Sequence, residues 1–133
     1  YIDIVALDKS SLPCDRSDFL THWLSAPGMK TAVLQYGDTL EAFAALRPAE
    51  EGYKFGPVLA HSPEGARKVI AHLMSDVRGE LVQLDVPEVN QGATALAMSF
   101  GLEAVFRCAK MYVGGQPTLK THRVFGLTSF EFG

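Results

Sequence analysis

The sequence predicts one α/β (α+β) domain over residues 1–133. Its sheet is mixed and mostly antiparallel, with one parallel β-α-β pair at its centre and helices on both faces. Three observations predict this. Strand-like runs alternate with stretches whose apolar residues recur at helical spacing. A strand–helix–strand unit spans 53–86, and such a unit requires its two strands to be parallel with a right-handed crossover. The remaining connections are hairpin-like and suit antiparallel pairing.

Residues 1–7 read as a first strand because Ile2, Ile4, Val5 and Leu7 favour extended backbone. Residues 8–13 read as a turn. Asp15 is placed to cap a helix in which Phe19, Leu20, Trp23 and Leu24 share a face, and Pro27-Gly28 ends it. Segments 31–36 and 40–46 flank Gly37-Asp38 and form a hairpin. Segment 53–60 is a third strand, broken at Gly56-Pro57, where a proline marks an edge or a bulge. Ser62 at the cap and Pro63 at the first helical position start a helix with Ala66, Val69, Ile70, Leu73, Met74 and Val77 on one face. Segment 81–86 is an apolar strand closed by Pro87. Asn90 caps a helix with Ala93, Leu96, Ala97 and Phe100 on one face, and Gly101-Leu102 reads as its left-handed C-cap. Segments 104–113 and 123–132 are the last two strands. Val69, Ile70, Leu73, Leu96 and Phe100 are the expected core of the two central helices.

Composition narrows the class. Of 133 residues, 47% are hydrophobic and 20% charged, which suits one globular core. Fifteen Asp+Glu against 12 Lys+Arg give a net charge of −3, so a nucleic-acid partner is not expected. No apolar run reaches the roughly 18 residues of a membrane span. Cys14 and Cys108 make no C-x-x-C and no disulfide framework, and read as reduced thiols of a cytoplasmic protein. A chain that begins at Tyr1 without a signal-peptide pattern reads as an excised domain. No His/Cys/Asp spacing matches a metal site, and Gly-x-Ser-x-Gly is absent.

Short motifs carry a resemblance in their order. Asn90, Ala93, Leu96, Gly101 and Leu102 fall in register with the pattern Asn, Ala, Leu, Tyr, Gly-Phe of the GNAT acetyltransferases. Asp15-Arg16 with Phe19-Leu20 and Trp23-Leu24, Gly56-Pro57-Val58-Leu59-Ala60, Leu84-Asp85-Val86-Pro87, Lys110-Met111-Tyr112-x-Gly114 and Ser129-Phe130-Glu131 resemble the divergent C-terminal domain of tandem-GNAT proteins. The resemblance implies acyl transfer from acetyl-coenzyme A to a small-molecule amine, with an N-terminal GNAT domain of the same protein as partner. It equally admits a catalytically silent or ligand-binding domain that completes the substrate site of that partner. The sequence departs from the family at two places. The family's Gln/Arg-x-x-Gly-x-Gly/Ala phosphate loop is replaced by His61-Ser62-Pro63-Glu64-Gly65-Ala66, which has one glycine and a proline without an N–H. The family's frequent general-acid tyrosine aligns with Ala97. Weak or absent acetyl-coenzyme A binding by the isolated domain follows.

Within that frame, a bulge at Gly56-Pro57 would splay strands 53–60 and 81–86 and leave the backbone of Val58 and Leu59 for a pantetheine arm or substrate amide. An irregular strand kept for packing is the alternative. Ser62, Gly65 and Arg67, beside Lys68, lie at a helix N-terminus suited to an anion, or form a capped helix with a solvated basic face. Asn90 is a candidate ligand or a helix cap. Asp85, at the end of an apolar strand, is the candidate base, or caps the next turn. His61 and Tyr112 are candidates for proton transfer, with a core or edge position the alternative for Tyr112.

Overall fold

The computed structural model describes residues 2–12, 15–87, 89–102 and 121–128. Helix α1 (Ile2–Ser11) leads into α2 (Ser17–Leu24), followed by strands β1 (Lys30–Tyr36), β2 (Thr39–Pro48) and β3 (Tyr53–Ala60). Helix α3 (Pro63–Met74) runs on through a 3₁₀ turn (Ser75–Val77) to β4 (Val82–Leu84). Helix α4 (Gln91–Ser99), a second 3₁₀ turn (Thr121–Arg123) and β5 (Val124–Gly126) complete the described elements. The sheet order is β1-β2-β3-β4, with β5 also on β3. β3 and β4 are parallel, joined by α3, and the other pairings are antiparallel. Tyr112 and strand 104–113 lie outside the described residues.

Residues 1–7 were expected to be a strand; residues 2–11 are helical instead. Ile4, Leu7, Asp8 and Ser11 face inward at i, i+3, i+4, i+7, the spacing of one helix face. Two of these four are polar, which hides the period from a hydrophobicity reading. Both are satisfied inside the fold. Ser11 Oγ donates to the Leu7 carbonyl at 2.7 Å, and Asp8, 1% exposed, is gripped by Arg16 through Nε and Nη2.

The other helices start and stop on the chemistry the sequence supplies. At α2 the expected Asp15 cap is displaced by one residue: Arg16 holds the N-cap without a side-chain bond, and Asp15 Oδ1 just ahead of it accepts the Ser17 N–H at 2.9 Å. Ser62 Oγ accepts the Gly65 N–H at 3.1 Å, with Pro63 in the first turn of α3. Asn90 Oδ1 accepts the Ala93 N–H at 3.0 Å at the head of α4. Helix α4 ends in a Schellman motif: Leu102 N–H bonds Ala97 O, Gly101 N–H bonds Met98 O, and Gly101 takes φ +79°.

Two bulges organise the core. Alternation along a strand sends successive side chains to opposite faces. On β2, Ala42, Ala44 and Leu46 join the cluster beneath α3 and α4, while Phe43 and Ala45 join the one beneath α1 and α2. Leu40 shares parity with Ala42 yet lies with Phe43, because Glu41 is an extra residue. Leu40 pairs with Gln35 and Ala42 with the adjacent Leu34, so Glu41 has no partner on β1. On β3, Phe55 and Val58 share one face although their parity differs. The phase changes at Gly56-Pro57, where Leu46 pairs with Phe55 but Ala44 with Val58. Val69, Ile70, Leu73 and Leu96 are buried as expected. Phe100 is only half-buried: it is the C-cap residue of α4 and packs at the margin of the core cluster.

Candidate functional site at the fork of strands β3 and β4

The bulge at Gly56-Pro57 turns β3 away from β4. Their parallel ladder covers Tyr53–Val82, Lys54–Gln83 and Phe55–Leu84 and stops there. Beyond it β5 enters the fork and pairs antiparallel with β3, Val58 with Gly126 and Leu59 with Val124. It also reaches the other prong, where the Leu127 N–H donates to Asp85 O at 2.8 Å. The end of β5 is closely packed: a Cβ on Gly126 would lie 2.7 Å from Leu84 Cδ1 and 3.0 Å from Val58 Cγ2, so those side chains would have to shift. Gly56 is as tightly held, because a Cβ there would run into the carbonyl oxygens of Leu127 and Thr128.

The expected free backbone of Val58 and Leu59 is therefore corrected. Their other edge already pairs with Ala44 and Phe43 of β2, so both edges are engaged. Phe125, 1% exposed, joins the α3–α4 core, and Val124 joins the opposite one. Asn90 ties the fork together. Its Oδ1 caps α4 while its Nδ2 donates to the Val124 carbonyl at 3.0 Å. A buried amide serving both bonds is a cap and a clamp on β5.

The helix α3 end of the fork is similarly occupied. Ser62 Oγ, besides accepting from Gly65, donates to Glu41 Oε1 at 2.7 Å. A Cβ on Gly65 would sit 3.1 Å from Glu41 Cγ. His61 has an exposed side chain, and its backbone N–H donates to Glu41 O at 3.0 Å. Arg67 is exposed and spends Nε and Nη2 on Glu64, whose carboxyl the Arg67 hydrogen bonds hold below its usual range. Lys68 turns instead to Tyr36, which lies 3.1 Å from its Nζ and holds the ammonium above its usual range. The structure thus gathers His61, Ser62 and Gly65 at one junction and points Arg67 and Lys68 to the surface.

Asp85 lies at the end of β4, where the prongs part. Its carboxylate pairs with Lys54 Nζ of β3 at 2.8 Å, with the two side chains 11% and 17% exposed. The sequence reading named neither Lys54 nor Glu41, and it did not foresee the network around Arg16. Arg16 bridges Asp8 of α1 to Thr128 after β5, with Nη1 donating to Thr128 Oγ1 at 3.1 Å. Trp23 Nε1 donates to the Gly56 carbonyl at 3.1 Å, so α2 also grips the bulge. A signal for Glu41 was present: one charge inside the apolar run 40–46. Among the described residues no group of His, Cys, Asp and Glu is arranged to hold a metal ion. No described helix is long and apolar enough to cross a membrane.

A mixed sheet with one parallel pair forking at a bulge, helices on both faces and a capped helix leaving the fork define an acetyltransferase-type fold. The model of the acetyltransferase (GNAT) domain family matches residues 4–126, and the chain belongs to that family. It is 25% identical over 132 residues to holothin acyltransferase of Pseudoalteromonas sp. (strain SANK 73390), covering 98% of this chain and 45% of that protein. A crystal structure of a Pyrococcus horikoshii protein assigned as an acetyltransferase superposes with a TM-score of 0.80 at 24% identity, over 100% of this chain and 43% of that one. The chain spans less than half the length of these two relatives.

Proposed function

We propose that this chain is the GNAT-fold partner domain of a longer acyl-transfer protein and does not itself hold acetyl-coenzyme A. The observation that carries this is β5 seated on Val58 and Leu59. An extended thioester cofactor in the expected position needs those edges, and the residues present do not fit it. The α3 end adds to the mismatch: Pro63 has no N–H, the Gly65 N–H is spent on Ser62, and a carboxylate is in place. The relatives' length supports the companion half, an N-terminal GNAT domain of the same protein that transfers an acyl group to a small-molecule amine in the cytoplasm. In this reading the present domain packs on that half and completes its substrate site. Calorimetry of acetyl-coenzyme A with the purified chain tests it. The expected dissociation constant is weaker than about 100 μM, and a sub-micromolar value would overturn the reading.

A second reading keeps chemistry on this chain, favoured by the placement of Asp85 at the fork beside Lys54. Asp85 would take the amine proton, with His61 or Tyr112 returning one where Ala97 has none to give. Asp85→Asn in the full-length protein then lowers the rate by about 10²–10⁴. An unchanged rate in the folded variant places the chemistry in the other half.

A further inference from the structure

Glu41 combines three features that ordinary packing does not require together. It is the extra residue of a β-bulge, the device that re-aims a side chain out of the sheet's alternation. Its carbonyl is held by the His61 N–H and its carboxylate by the Ser62 hydroxyl, so both ends are anchored at the β3–α3 junction. Residue 65, against which the carboxylate lies, is a glycine, and a Cβ there would come within 3.2 Å of Oε1.

The N-terminal end of a helix carries a partial positive charge and favours anions. Here the anion comes from the chain itself. We propose that Glu41 is a built-in occupant of the α3 N-terminus that keeps phosphate-bearing ligands out of it. This deepens the partner-domain reading and rests on it: β5 closes the cleft between the strands, and Glu41 closes the anion end. A phosphate approaching Ser62 and the first turn of α3 meets a carboxylate of like charge already using the Ser62 hydroxyl, and juxtaposed like charges are strongly unfavourable. Removing that charge leaves the hydroxyl and the helix end for another anion.

The test is titration of inorganic pyrophosphate, and separately coenzyme A, into the unaltered chain, Glu41→Gln and Glu41→Ala. Both variants are expected to bind pyrophosphate at least about tenfold more tightly than the unaltered chain, with the gain suppressed by salt. Glu41→Gln keeps the size of the side chain and its acceptor for Ser62, so it carries the test if the alanine variant does not fold. Unchanged pyrophosphate affinity in folded Glu41→Gln overturns the proposal. Tight coenzyme A binding by the unaltered chain breaks the partner-domain reading instead, and the pyrophosphate comparison still reports on Glu41.

Discussion

The two halves of β3 meet different neighbours. Residues 53–55 lie parallel to β4, in a ladder delivered by a crossover helix. Residues 58–59, three positions on, lie antiparallel to β5. The half before Gly56-Pro57 is built from consecutive elements. The half after it is completed by a strand more than sixty positions downstream, held by Asn90 and flanked by the Arg16–Thr128 bridge. One bulge therefore makes a fork, and what fills the fork decides what the fold can bind. The same scaffold with β5 withdrawn would present the paired edges of Val58 and Leu59.

Breaking the inserted half gives the largest expected effect. Phe125→Ala removes a β5 side chain buried in the core beneath α3 and α4 and is expected to cost about 3–5 kcal/mol of stability, read from denaturant unfolding. If β5 were only loosely seated, the loss would be far smaller, and the contrast between the halves would disappear. On the parallel side, Leu73→Ala in α3 is expected to cost about 2–5 kcal/mol. An unaltered unfolding curve would mean that α3 does not carry the core face assigned to it.

The clamp sharpens the comparison. Asn90→Ala removes both the α4 cap and the bond to the Val124 carbonyl, and leaves that acceptor without the amide. A loss of about 1–3 kcal/mol is expected. Hydrogen exchange should then speed up for the Val124 region more than for residues 53–55. Equal acceleration in both halves would show that Asn90 acts as a helix cap alone.

The smallest effect concerns pH and the Asp15–Ser17 bond just ahead of α2. The Ser17 hydroxyl and N–H, with Lys9, lower the Asp15 carboxyl from 3.8 to about 2. The folded value lies below the unfolded one. The stabilisation is therefore fully present above about pH 4 and is lost as pH falls toward 2. Asp15→Asn should flatten that part of the acid-unfolding profile and lower the plateau above about pH 5 without changing its slope. A profile of unaltered slope between pH 4 and 2 would show that the Asp15 carboxylate does not stabilise the fold.

Much of the frame was legible because its signals are local. Ser62-Pro63, Asn90 and Gly101 act within a few residues of themselves, and the 3.6 period of α3 needs no partner to be seen. The parallel pair followed from the crossover helix alone. Helix α1 was not legible, because its inward face includes Asp8 and Ser11, which become tolerable in the interior only once Arg16 and the Leu7 carbonyl receive them. Phe100 was placed on the right helix but too deep, since it stands at the C-cap and only half of it is covered by the core. The site divides along the same line. Gly56-Pro57 announced a bulge, and the sparse glycines of 61–66 announced an altered loop. By itself the sequence determined the caps of α3 and α4, the central crossover and the fork. Only the tertiary structure decided that β5 fills that fork and that Glu41 turns to the head of α3, because strand pairing and the re-aiming of a side chain at a bulge depend on residues far apart in the chain.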